Sequence, residues 1–203
     1  QEWTGGVASS ADGMKLVVGD DVGLLQTSTD GGVTWTQRFA ENTYEDWVSL
    51  ASSADGTKLV AVDNAYGYIY TSTDSGVTWI KRILNSSGWW HVASSSDGTH
   101  FVAAGGDGSM YTSTDSGTTW IKRAAISLNN LNNVFYNASS SDGTKLIASV
   151  DNSYIYTSND SGVTWVQQTG SGIHRWRGVS SSSDGTKMVA TDIGNGSGGY
   201  IYT

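Results

Sequence analysis

The chain has 203 residues, a formal net charge of −8, 37% apolar residues, nine Trp, ten Tyr, and neither cysteine nor proline. So acidic a surface argues against nucleic acid and anionic membrane partners, whose phosphates demand basic side chains. Without cysteine there is no disulfide or thiolate–metal chemistry, and no apolar run is long enough to span a bilayer.

In chain order, the same short elements recur five times. Each cycle passes through an Asp-Gly turn, centred on Asp12-Gly13, Asp55-Gly56, Asp97-Gly98, Asp142-Gly143 and Asp184-Gly185. Asp-Gly between apolar runs is a strong hairpin signal, because the central turn positions want positive φ. A β-rich run follows each turn, such as Lys58-Leu59-Val60-Ala61-Val62 or Lys145-Leu146-Ile147-Ala148-Ser149. A short Gly/Asn/Asp loop then leads to a further strand, Tyr68-Ile69-Tyr70-Thr71 or Tyr154-Ile155-Tyr156-Thr157. Next comes an eight-residue turn, Ser72-Thr73-Asp74-Ser75-Gly76-Val77-Thr78-Trp79 in its second copy, and a fourth strand. The other copies contain Asp30 with Trp35, Asp115 with Trp120, and Asp160 with Trp165, so the aspartates are 44, 41 and 45 residues apart.

One unit is therefore four short strands, A to D, with no helical period. A period of roughly 40–45 residues, with strands apolar on both faces, predicts sheets packed radially against their neighbours. The expected fold is all-β: a five-bladed β-propeller of four-stranded antiparallel blades, with the fifth blade lacking its outer strand. It forms one domain, 1–203, of units at about 1–40, 41–83, 84–125, 126–169 and 170–203. The absent proline reads as descent by duplication from one Pro-free unit, and Gln1 in place of an initiator Met reads as a processed or excised product. Four eight-residue turns for five Asp-Gly turns leave the last unit three-stranded, or its edge covered by another chain, or the sequence a slice of a longer propeller.

The motif S-x-D-x-G-x-T-W resembles the Asp-box (BNR) repeat of sialidases, sortilin-type receptors, photosystem assembly factors and several lectins. That resemblance implies a structural role for the box at the C–D turn. The chemistry agrees: the carboxylates of Asp30, Asp74, Asp115 and Asp160 can accept turn N–H groups. Glycine permits the dihedrals, and Trp35, Trp79, Trp120 and Trp165 can plug gaps between blades.

Antiparallel order sends the A–B and C–D turns to one face and the B–C and D–A loops to the other. Variable loops on a rigid scaffold are where binding usually resides. Aromatics near the start of strand A (Trp3, Trp47, Trp90, Tyr136 and Trp176) and B–C loop acids (Asp63, Asp107, Asp151 and Asp192) make a candidate carbohydrate site. There, sugar C–H faces would stack while hydroxyls find acceptors, and repetition would add avidity. The alternative is that these Trp pack between blades, these Asp only make turns, and the chain is a structural or protein-binding scaffold.

Catalysis has little support. Glu2, Glu41 and Glu45 are the only glutamates, no arginine triad converges, and His91, His100 and His174 fall in different units. The expectation is a non-enzymatic, extracellular protein with no cofactor or metal. Its partner would be a glycan or glycoprotein, and it could self-associate at the incomplete fifth blade.

Overall fold

A computed structural model describes residues 5–21, 23–38, 45–83, 88–123, 134–194 and 199–203. Unit 1 contributes β1 (Val7–Ser9), β2 (Leu16–Gly19), β3 (Leu25–Ser28) and β4 (Thr36–Gln37). Unit 2 contributes β5 (Trp47–Ser52), β6 (Leu59–Asp63), β7 (Tyr68–Ser72) and β8 (Ile80–Ile83). Unit 3 has β9 (Trp89–Ser94), β10 (Phe101–Gly105), β11 (Met110–Ser113) and β12 (Ile121–Lys122). Unit 4 has β13 (Val134–Ser139), β14 (Leu146–Ser153), β15 (Ile155–Ser158) and β16 (Val166–Gln168). Unit 5 has β17 (His174–Ser181), β18 (Met188–Asp192) and β19 (Ile201–Tyr202).

Every strand pairs antiparallel with its chain neighbour inside its unit, which yields three separate four-stranded sheets. The last two units share one sheet, because the extended end of β14 pairs with the start of β17 (Asp151 with Arg175, Ser153 with His174). The one helical turn among the described residues is a 3-10 turn at Thr169–Ser171. No helix is long and apolar enough to cross a membrane.

Strand alternation explains why units must stack. Leu59 and Ala61 of β6 join Val17 and Leu25 of unit 1 in one buried cluster, while Val60 and Val62 join Trp89, Phe101 and Tyr111 of unit 3 in another. β10 repeats the device, sending Phe101 and Ala103 one way and Val102 and Ala104 the other. Four such clusters lie at the junctions of consecutive units, and no unit owns a core.

Polar staples reinforce each junction. Backbone N–H groups at the A–B turns donate to the next unit: Ala11 to the Ala54 carbonyl, Ala54 to Ser96, Ser96 to Ser141 and Ser141 to Ser183, all at 2.7–2.8 Å. Lys15, Lys58 and Lys145 send Nζ to the carbonyls of Asp55, Asp97 and Asp184 at 3.0, 2.9 and 2.8 Å. Their stems lie against the following turn's glycine, so a Cβ on Gly98 would sit 2.7 Å from that of Lys58. At φ +63, Gly98 also needs the left-handed region.

Candidate functional site

The two sets of strand connections differ in chemistry. On the A–B/C–D face every described turn closes on itself. Asp74 Oδ1 accepts the Ser72 hydroxyl (2.8 Å) and the Thr78 N–H (2.8 Å), Oδ2 accepts the Thr78 hydroxyl (2.6 Å), and the Trp79 indole donates to the Gly76 carbonyl (3.0 Å). Asp30, Asp115 and Asp160 repeat this set. Bonds from Thr34, then Ser28, pull the Asp30 carboxyl down to about 2, and those from Thr164 and Ser158 do the same for Asp160. Trp79, Trp120 and Trp165 pack onto the inter-unit clusters, whereas Trp35 is 39% exposed.

On the B–C/D–A face the sequence-nominated residues divide. Trp47 and Trp176 have 0% exposure, as has Trp89. Each meets a strand-C tyrosine edge-on: Trp47 with Tyr70 at 5.1 Å, Trp89 with Tyr111 at 4.9 Å, and Trp176 with Tyr202 at 4.8 Å. Truncating such a ring costs about 3–5 kcal/mol, and a buried ring offers no face for a sugar to stack on. Trp3 lies outside the described residues. Trp90, at 37% exposure, and the half-buried Tyr136 retain accessible surface.

The acids are similarly divided. Asp63 is fully buried, with Oδ1 accepting the N–H groups of Asp46 and Ala65 and Oδ2 that of Tyr66. Desolvation raises its carboxyl above the ordinary value despite those donors. Asp192 accepts the Tyr200 N–H at 2.7 Å and pairs with His174 Nδ1 at 2.9 Å, and Asp151 faces Arg177 at 3.2 Å and Arg175 at 3.9 Å. Asp107, more exposed, binds Lys122 Nζ at 2.7 Å and the Ser109 N–H. Glu45 is buried and accepts the Tyr70 hydroxyl, while Glu2 and Glu41 lie outside the described residues. Among the described residues no three His, Asp or Glu side chains converge on one point.

β-Bulges explain why neighbouring residues part company. Register shifts fall between Trp47 and Ser49, Trp89 and His91 (opposite Gly105 and Ala104), Val134 and Tyr136, and Trp176 and Val179. A bulge inserts a residue and re-aims its side chain, so Val48, Trp90 and Arg177 occupy the bulges while the preceding tryptophans stay in the core. Next to them lies a cross-unit link: His91 Nδ1 is 3.4 Å from Asn137 Oδ1, and its ring packs on Tyr136 at 5.3 Å. Burial lowers the His91 pKa. Sequence reasoning does not single out Trp89, the Trp–Tyr pairs or this link. The Lys staples did leave a signal, a lysine two residues after four of the five Asp-Gly pairs.

No protein-family model and no curated protein matches the chain. Solved structures do, over almost all of it. YCF48 bound to D1 peptide is similar at 17% identity and a TM-score of 0.68, over 99% of this chain and 65% of its own. YCF48 from Cyanidioschyzon merolae is similar at 16% identity and a TM-score of 0.70, over 95% of this chain and 64% of its own. The GH74 enzyme of Niastella koreensis is similar at 20% identity and a TM-score of 0.71, over 98% and 29%. The chain thus spans less than two thirds of the length of these neighbours. Its antiparallel four-stranded sheets and these likenesses define the fold as that of a β-propeller.

Proposed function

We propose that the chain is a non-catalytic propeller scaffold that holds a polypeptide segment of a partner protein on its B–C/D–A face. The observation that carries this reading is the contrast on that face. The repeated tryptophans are buried, whereas the accessible groups differ from unit to unit: Tyr66 in unit 2, Trp90 in unit 3, Tyr136 in unit 4, Arg175 and Tyr200 in unit 5. A multivalent lectin needs one platform repeated, while an uneven set of aromatic and arginine side chains suits the varied side chains of a polypeptide. The peptide-bound YCF48 adds support at the level of fold.

In this reading the five units are blades of one domain, 1–203, the last without its outer strand, and the eight-residue turn is an Asp box used for structure. The protein works outside the cell. A second reading, glycan binding, rests on the exposed ring of Trp90, next in sequence to His91, whose own ring packs on Tyr136.

A random-peptide display selection and a glycan array, each run on the wild type and on Trp90→Ala, separate the two. The expected result is enriched peptides whose affinity falls about tenfold or more in Trp90→Ala, the scale of one aromatic anchor. Sugars that quench tryptophan fluorescence in the wild type but not in Trp90→Ala, with no peptide enriched, would transfer the function to glycans.

A further inference from the structure

The A–B turns of all five units surround one depression of about 260 Å³. It is lined by Ser9 and Ala11 of unit 1, residues 52–54, 94–96 and 139–141 of units 2 to 4, and Ser181 and Ser183 of unit 5. Eleven of these thirteen residues are serine, so the lining is polar yet uncharged. Pockets for drug-sized ligands span roughly 300–1,000 Å³, so what fits here is smaller.

Most hydrogens of this lining are already committed. The Ser52, Ser94, Ser139 and Ser181 hydroxyls each donate to the carbonyl of the next residue, at 2.8–3.0 Å. The buried hydroxyls of Ser53, Ser95 and Ser140 donate to the carboxylates of Asp55, Asp97 and Asp142 at 2.6 Å. The N–H groups of Ala11, Ala54, Ser96 and Ser141 go to carbonyls of the neighbouring unit. What remains for a guest is mainly lone pairs on hydroxyl oxygens, repeated from unit to unit around the depression. Such a lining needs a guest that supplies donors.

Charge points the same way. Every Asp-Gly turn and every eight-residue turn contributes an aspartate, nine in all, against four lysines that follow the Asp-Gly pairs. Hydrogen bonds, first from the serine two residues before, hold the carboxyls of Asp55, Asp97, Asp142 and Asp184 down at about 2, so they are ionised at neutral pH. These turns also receive ammonium groups already. Lys15, Lys58 and Lys145 place Nζ 2.8–3.0 Å from the carbonyls of Asp55, Asp97 and Asp184.

We propose that this depression binds a primary ammonium group on a slender stem, borne by a free amine or by a lysine of a partner protein. Such a group brings three donors, no acceptor, and a charge opposite to that of the surrounding carboxylates. A carboxylate or phosphate brings only acceptors and like charge, and a neutral sugar brings acceptors that find few donors here. The site and its test are independent of peptide binding on the B–C/D–A face.

The test titrates the 15N-labelled chain with n-butylammonium chloride, followed by NMR. The expected result is saturable shifts at the amides of residues 52–54, 94–96 and 139–141, with a Kd of about 1 mM, a scale within reach of five heavy atoms. At equal concentration 1-butanol, which lacks the charge, and tetramethylammonium, which lacks the N–H groups, should leave these amides in place. Ser52→Ala, Ser94→Ala and Ser139→Ala combined should weaken binding about tenfold, the scale of a charge-assisted hydrogen bond. If the triple variant folds poorly, Ser94→Lys decides, because its own ammonium would occupy the depression and abolish the shifts. A blocked tripeptide with a central lysine separates the two sources. Binding tighter than that of butylammonium assigns the group to a partner's lysine, and weaker binding assigns it to a free amine. No saturable shift, equal shifts with tetramethylammonium or potassium, or unchanged affinity in the folded triple variant overturns the proposal.

Discussion

At the scale of single residues, short side chains serve the turns. Asp74 accepts three side-chain hydrogen bonds within its own turn and, among the described residues, none from another unit. Removing it should therefore loosen one turn without moving the loop face. Asp74→Ala is expected to lower stability by about 1 kcal/mol, discounted for its exposure, or about 2–4 °C in Tm, measured by thermal circular dichroism. The same carboxylates predict an acid limit. Asp55, Asp97, Asp142 and Asp184 are pulled down to about 2 by hydrogen bonds, first from the preceding serine and then from the following threonine, or the reverse for Asp30 and Asp160. Their folded values lie below the ordinary carboxylate value, so their stabilisation is full above about pH 4 and is lost as pH falls through about 2. Buried Asp63 is shifted the other way and partly offsets them as it protonates. Melting temperature against pH should be flat above about 5 and drop steeply between about 4 and 2. A drop centred near pH 6 would point to histidine instead.

At the scale of elements, the joint between units is the source of stability. Gly98 and Gly13 have similar dihedrals, φ +63 and +71, but only Gly98 is enclosed by the preceding unit. Gly98→Ala should cost the left-handed penalty of about 1–2 kcal/mol plus the displacement of the Lys58 stem. Gly13→Ala should cost the first part alone. Chemical denaturation of both variants measures the difference, and equal losses would contradict the packing of the Lys58 stem on Gly98. The strand order and these turns were legible in the sequence, because Asp-Gly pairs and alternating apolar residues act locally. The fate of the tryptophans was not. Trp89 and Trp90 are adjacent and chemically identical, and only a bulge in the pairing of β9 with β10 sends one into the core and the other to the surface. Asp63 was similarly ambiguous: a loop carboxylate can meet a ligand or its own backbone, and here three backbone N–H groups take it.

At the scale of the whole molecule, the two faces divide the work. One is closed by turn and staple hydrogen bonds that recur from unit to unit, and the other carries side chains that differ between units. The sequence reveals the first through its repeats. It is mute on the second, because what a loop presents depends on register and on the neighbouring unit. Binding and stability should therefore respond to different residues. The most direct measurement titrates one display-selected peptide, by calorimetry, into the wild type, Trp90→Ala and Asp74→Ala. The division of faces predicts that Trp90→Ala weakens binding about tenfold or more with its melting temperature unchanged, while Asp74→Ala melts lower and binds as the wild type does. A peptide whose affinity falls in Asp74→Ala and is unaffected in Trp90→Ala would contradict it.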